Sequence, residues 1–513
     1  MTTRRTTPRA RSASSRSGAA LLTAGLAALV CAPAPTAVAA APASQPPAAA
    51  TTAAATVPAA ASVPSPAPRR PLPVVFVHGN SGSAAQFESQ FQRFTSNGYR
   101  QSRLFAYEYD TSGPDNTAAV ADLDPFIDDV LRRTGAEQVF LVAHSRGTTV
   151  SLAYLADAAH AGKVAKYVNL DGRSADAPPG GVPTLAIWGE WQSPPTPRRG
   201  TVGAIAGATN IYNPDLGHTE TSTSGKTFRE VYRFFLGRQP RTTDVLRQAG
   251  PRIRVAGRAV LFPENEGFAG ARLDVYRVWE DTGKRAARTP VASYEIGEDG
   301  RFGPLALARS NAYEFALTRP GGTVHHFYQQ RFRRDDLFLR LNSAQEGVGL
   351  ETFTPTSPEH VNAAVIRARE MWGDQGADSD VLTVDELGDG QAPLNVLTPQ
   401  TSPRSSTSGP LGNVGEQNAM FLTDVGAPLT TGPGYGPPDQ QTDLGKGQLY
   451  PFSALTFLGG VDVFLPADER GRTTVQFGLE PRGGRIRQVV NVPNWPSATH
   501  RISVGFRDDV QER

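Results

Sequence analysis

The chain has 513 residues, too many for one ordinary hydrophobic core, so two or three domains are expected. A formal net charge of +2 gives no electrostatic footprint for nucleic acid, and 39% hydrophobic residues fit globular domains. A single cysteine, Cys31, excludes a disulfide framework.

Arg4, Arg5, Arg9, Arg11 and Arg16 precede the apolar run AALLTAGLAALVCA (19–32). That run is too short to span a bilayer, and small residues around 37–40 suit a cleavage site. Residues 1–40 therefore read as a signal peptide, which predicts a secreted protein with no transmembrane anchor. Cleavage near Ala40 would remove Cys31 and exclude a thiol nucleophile. Residues 41–70, rich in Ala, Pro and Thr, read as a disordered linker.

From Pro71 the grammar is that of a parallel sheet. LPVVFVHG (72–79), RLFAYEY (103–109), QVFLVAH (138–144), AKYVNL (165–170) and VPTLAIW (182–188) are apolar runs suited to strands buried on both faces, and TNIYN (209–213) is a weaker sixth. Helical periodicity separates them: Leu123, Ile127, Val130 and Leu131 before Gly135, TTVSLAYLADAA at 148–159, and TFREVYRFFLG at 227–237. Alternating strands and helices over 71–240 predict a small, mostly parallel α/β sheet flanked by helices. After 240, apolar and polar residues alternate between Gly, Pro and Asn turns, which predicts antiparallel β structure. Residues 241–513 read as a β-rich region of β-sandwich or β-barrel modules, divided at about 345 if there are two. Within it SPEHVNAAVIRAREMW (357–372) suits one helix, and 374–447 reads as turn-rich and polar.

LVAHSRGTTV (141–150) places a serine between a buried strand and a helix, the context of a nucleophile elbow. Gly147 meets the need for close approach; Ala143 replaces the usual first glycine. Ser145 is the candidate nucleophile, against a helix N-cap serine. A neutral serine needs an adjacent base. In this fold the chain order is serine, acid, histidine, and His218 lies in the loop between the last strand and the last helix. Strand alternation turns His144 away; His78 braces the loop after the first strand, and Asp215 shapes the loop before His218. His325, His326, His360 and His500 fall outside this domain. Two carboxylates compete for the acid. Asp171 ends the strand YVNLD and is favoured; Glu190 ends the next strand, but GEWQSPP lacks the Asp usually found past that glycine. The backbone N–H groups of Asn80 and Arg146 are the candidate oxyanion donors. No phosphate loop, dinucleotide fingerprint or metal-ligand spacing is present, so neither cofactor nor metal is expected.

VVFVHGNSGSAAQFESQFQRFTSNGY, AYEYD, LVAHSRGT and VNLDG resemble secreted α/β-hydrolase lipases and esterases, a group that includes an archaeal two-domain lipase with a C-terminal β-barrel lipid-binding domain. RTTDVLRQAG, FRRDDLFLRL, GGVDVFLPADE, TVQFG and VPNWPS extend the likeness past 240. The resemblance implies that the acid follows the NLDG strand, which supports Asp171, and that the oxyanion donors are Asn80 and Arg146. It also implies that the C-terminal region presents an apolar surface for acyl chains. DTSGPDNTAAVADLDPF leads straight into the predicted helix, where that lipase has a long lid insertion. The function expected is hydrolysis of carboxylic esters, with a lipid or ester as partner. The alternatives are a non-catalytic lipid- or polymer-binding envelope protein on a hydrolase scaffold, and a polyester depolymerase or amidase using the same three residues.

Overall fold

The computed structural model describes residues 71–189, 203–213, 215–373, 376–402, 417–455, 457–484 and 486–509, with the backbone alone at 192–193 and 196–197. The basic N-terminus, the apolar run at 19–32, the 41–70 linker and Glu190 lie outside the described residues.

The hydrolase part runs β1 (Val74–Val77), α1 (Glu88–Ser96), β2 (Leu104–Tyr107), α2 (Thr117–Thr134), β3 (Val139–His144), α3 (Arg146–Leu155), α4 (Ala158–Ala161), β4 (Val164–Leu170) and β5 (Thr184–Gly189). A short ladder β6 (Gln192–Ser193) and β7 (Thr196–Pro197), then β8 (Thr209–Asn213), α5 (Glu220–Thr223) and α6 (Gly225–Leu236) complete it. Among the described residues the main sheet has the order β2-β1-β3-β4-β5-β8, and every pair is parallel. This is an α/β hydrolase fold. The apolar runs follow from burial on both faces. Val75 and Val77 of β1 join the core beneath α2 and α3, while Val74 and Phe76 join the core beneath α1 and α6.

Helix α6 shows why these residues form a helix here. The Ser224 side chain caps it by accepting from Thr227 N–H, and Gly237 ends it at φ 68°. Phe228, Val231, Tyr232 and Phe235 recur at helical spacing and are buried against the sheet. Each large apolar side chain removed from water contributes about 2 kcal/mol. The helix expected at 148–159 is instead two: α3 starts at Arg146, and α4 restarts where the Asp157 carboxylate accepts from Ala159 N–H at 2.7 Å.

The β-rich part comprises β9 (Arg252–Leu261), β10 (Arg272–Val278), β11 (Ala292–Glu295), β12 (Arg301–Ala308), β13 (Ala312–Thr318), β14 (Val324–Gln329) and β15 (Asp336–Ser343). It continues with β16 (Ala363–Met371), β17 (Val381–Glu386), β18 (Leu394–Asn395), β19 (Gln417–Thr423), β20 (Phe457–Asp462), β21 (Thr474–Glu480), β22 (Gln488–Pro493) and β23 (His500–Gly505). One sheet has the order β11-β10-β13-β14-β23-β16-β19-β20; β12-β9-β15 and β18-β17-β21-β22 form two others. A core of Ile253, Phe302, Phe315 and their neighbours fills the first module, and one of Val365, Leu382, Phe477 and Val504 fills the second.

Three expectations are corrected here. The region is mixed rather than antiparallel, since β9–β15, β14–β23, β16–β23 and β19–β20 pair parallel. Residues 357–372 hold no helix; their centre is strand β16, bonded to β19 and β23. Val361, Ala363 and Val365 enter one core at a period of two, and the charged residues Arg367, Arg369 and Glu370 are buried. Residues 374–447 are also not merely turns, because β17, β18 and β19 lie within them.

Candidate active site

Strand β3 delivers Ser145 to a sharp turn at φ 51°, ψ −122°, and α3 begins at the next residue. That backbone is strained for a residue with a Cβ, as an elbow requires. Gly147 is dictated by contact: a methyl there would stand 2.4 Å from the His78 carbonyl oxygen and 2.6 Å from that of Val77. Ala143 is fully buried within β3, where its methyl packs into the core beside Val75 and Val77.

Residues 145, 171 and 218 converge. His218 Nε2 lies 3.0 Å from Ser145 Oγ, and His218 Nδ1 lies 2.6 Å from Asp171 Oδ2. Asp171 follows β4 at φ 42°, in a turn shaped by Asn169, whose side chain accepts from Gly172 N–H and donates to the Arg173 carbonyl. The other oxygen of the Asp171 carboxylate accepts from Gly189 N–H at 3.0 Å. The carboxylate is thus fixed at both oxygens. An Asp–His–Ser chain of hydrogen bonds of this kind can move a proton from the hydroxyl to the ring and leave the carboxylate to stabilise the imidazolium. Asp215, expected to shape the loop, pairs with Lys226.

Asn80 and Arg146 flank Ser145. Arg146 is the first residue of α3, where N–H groups have no partner inside the helix. Its guanidinium reaches Asn80 Oδ1 (2.8 Å), Asn116 Oδ1 (2.8 Å) and the carbonyls of Thr111, Gly113 and Asp115. The side chains of the two candidate donors are therefore bonded to each other. His78 braces the loop as expected. Its Nδ1 bonds the Gly79 carbonyl, its Nε2 accepts from Tyr109 N–H, and burial holds it down to about pKa 4, so it is neutral.

The structure adds residues that the sequence reading missed. His144 does not turn away: its Nε2 lies 2.9 Å from the His218 carbonyl oxygen, and the two rings are 4.6 Å apart. The alternation rule fails because the chain leaves the pleat at Ser145. Burial holds His144 well below the usual imidazole range, so it is neutral. Gln86 bridges its Nδ1 to Gly79 N–H in the loop after β1. Thr148, fully buried, donates to the Ser145 carbonyl at 2.7 Å and accepts from Arg173 N–H at 2.8 Å, tying the elbow to the Asp171 turn. Phe457, at the start of β20, lies parallel to the His218 ring at 5.6 Å. A threonine directly after Ser-x-Gly was the one local signal among these; the others depend on distant segments.

Residues 71–160 match the family model of class 2 lipases, and residues 251–346 match the lipase C-terminal domain. The chain thus carries an N-terminal segment similar to class 2 lipases and a later segment similar to the lipase C-terminal domain. Residues 349–510 match a further C-terminal domain model. Among solved structures, the chain is similar to a gene product of Listeria innocua (16% identity, TM-score 0.27, covering 34% of this chain and 97% of that one). It is also similar to Aspergillus fumigatus lipase B (12%, TM-score 0.27, 34% and 54%) and to Bacillus licheniformis lipase BlEst2 in its propeptide form (15%, TM-score 0.28, 43% and 59%). The chain thus spans little more than half the length of those two lipases. Likeness at this level does not bear on function. Among the described residues, no helix is long and apolar enough to cross a membrane.

Proposed function

We propose that the protein is a secreted serine carboxylester hydrolase that works through an acyl-enzyme. Ser145 Oγ attacks the ester carbonyl carbon while His218 Nε2 takes its proton. Asp171 holds the ring in the tautomer that leaves Nε2 free to accept, and stabilises the imidazolium. The backbone N–H groups of Asn80 and Arg146 receive the carbonyl oxygen as it becomes an oxyanion. His218 then gives its proton to the departing alkoxide, and the alcohol leaves. Water, deprotonated by the same ring, attacks the acyl-serine; the proton returns to Ser145 and the acid is released. The observation that carries this reading is the unbroken series from Ser145 Oγ to His218 to Asp171, at 3.0 and 2.6 Å.

Support for Asp171 over Glu190 as the acid is the short contact to His218 Nδ1 together with the Gly189 N–H on its second oxygen. Secretion rests on the basic and apolar character of residues 1–40, and N-terminal sequencing of protein from culture medium tests it. The reaction is tested by stoichiometric labelling with a p-nitrophenyl phosphonate and by rates on p-nitrophenyl esters of increasing acyl length. Labelling located at Ser145, and loss of turnover in Ser145→Ala, are expected. A chain that hydrolyses esters equally well without the hydroxyl, or that is never labelled, is not this enzyme.

A further inference from the structure

The two residues that directly follow the proposed base are held from outside the hydrolase domain. The Thr219 hydroxyl donates to the Glu370 carboxylate and accepts from Glu370 N–H at 3.2 Å and from the Asn418 side chain at 3.1 Å. This fills the one donor and two acceptor positions of a hydroxyl. Glu220 takes Arg369 on one oxygen at 2.6 Å and Arg482 on the other at 2.8 Å. Burial alone would raise the Glu220 carboxyl, but the two guanidiniums hold it below the ordinary carboxylate range, so it stays ionised. Its Arg482-bound oxygen also accepts from Gly217 N–H, the residue before the base, at 3.3 Å.

The fit on the other side of His218 is equally close. A methyl on Gly217 would stand 1.4 Å from Glu370 Oε1 and 2.7 Å from the Trp372 ring. No side chain is tolerated there while β16 lies against the loop. Arg482 is itself seated, 3.2 Å over the Trp372 ring and 2.5 Å from Asp380. The hydrolase domain holds the loop at other points: His144 reaches the His218 carbonyl, and Ser89, Gln90 and Arg93 of α1 donate to the carbonyls of 222–224, which leaves the side chains of 219 and 220 to the β-rich module. Helix α5, which opens at Glu220, has four residues, far fewer than a helix needs to persist alone.

We propose that the 349–510 module positions the catalytic base: Thr219 and Glu220, gripped by Glu370, Asn418, Arg369 and Arg482, are positioning residues for His218. The inference rests on the reading of Ser145 and His218 as nucleophile and base. Buried ion pairs add little net stability but specify one arrangement strongly, because breaking one leaves a charge unpaired. Here the arrangement specified is the approach of an imidazole to a hydroxyl 3.0 Å away. A shift of 1 Å in such a geometry costs about 100-fold in rate.

The test uses the full chain with p-nitrophenyl acetate, a substrate too small to need an acyl-chain surface. Glu220→Gln and Thr219→Val are expected to lower kcat by about 100-fold with KM little changed. The acid limb of the kcat/KM profile should move, and phosphonylation of Ser145 should slow in step with kcat. Thr219→Ser, which keeps the hydroxyl, should restore wild-type behaviour. Thermal unfolding and the active-site titre separate misplacement from misfolding. If Glu220→Gln does not fold, Thr219→Val, which leaves the ion pairs in place, carries the test. Folded variants with wild-type kcat and pH profile overturn the proposal, as does a fall in kcat that merely follows the titre. A wild-type chain whose Ser145 takes no phosphonate overturns the hydrolase reading itself, an outcome visible before any variant is made.

Discussion

His144 and His218 are coupled through the backbone: the ring of the residue before the proposed nucleophile reaches the carbonyl oxygen of the proposed base at 2.9 Å. With Gln86 donating to its Nδ1, His144 carries its proton on Nε2 and donates it to that carbonyl. The expected consequence is that His144→Ala keeps the fold but lowers kcat on acetate esters by about 10- to 100-fold. Gln86→Leu should have a smaller effect of the same kind. Stopped-flow acylation rates check both, and unchanged rates would relegate His144 to packing.

Asp171→Asn should cut kcat by about 10,000-fold, because an amide favours the wrong imidazole tautomer. The buried setting of this residue makes a stability measurement necessary beside the rate. Glu190→Gln should leave kcat near wild type. The reverse ranking would assign the acid to Glu190.

The site was partly legible in the sequence, and the particular residues explain how far. Val74–Val77 and Val139–His144 announce strands because both faces are buried, and Ser145 announces an elbow because a helix starts beside it. Chain order points to His218 but leaves Asp171 and Glu190 both open as the acid. The β16 segment misled because Arg367, Arg369 and Glu370 look like a solvated face unless one knows that partners arrive from Asp380, Glu220 and Thr219. Those partners have no fixed spacing along the chain, so no local pattern reveals them.

Arg146→Ala offers a way to separate a backbone donor from a side-chain brace. The variant keeps the N–H but loses the guanidinium that holds Asn80 and the 111–115 carbonyls. Its kcat should fall by less than the roughly 100- to 1000-fold that loss of an oxyanion donor costs. Stability should fall by about 2 kcal/mol. Urea unfolding and steady-state kinetics measure the two effects independently.

Phe457 lies parallel to the His218 ring at 5.6 Å, and the proposed mechanism has His218 hand its proton to the leaving alcohol, so the ring is expected to border that group. Phe457→Ala should therefore improve kcat/KM for bulky alcohols relative to methyl or ethyl esters of the same acid. An unaltered ratio across the alcohol series would show that the ring does not border the leaving group.

Stability should decline on mild acidification. His78 is buried and held down to about pKa 4, whereas in the unfolded chain it titrates near the ordinary 6.5. Between those values the unfolded state binds the extra proton, so stability is present above pH 6.5 and is lost as pH falls towards 4. The loss from this residue is about 3 kcal/mol. Melting temperatures between pH 7 and pH 4 should show it, with a shallower slope in His78→Asn. A parallel slope in that variant would assign the acid sensitivity elsewhere.

Strand β23 lies mid-sheet, paired on one side with β14 and on the other with β16, although it follows both in the chain by well over a hundred residues. Until it has been synthesised and inserted, two strand edges stand bare, ready to add the wrong neighbour. Closure of this sheet is thereby made to wait for β23, and a polypeptide clipped before His500 would present two adhesive edges.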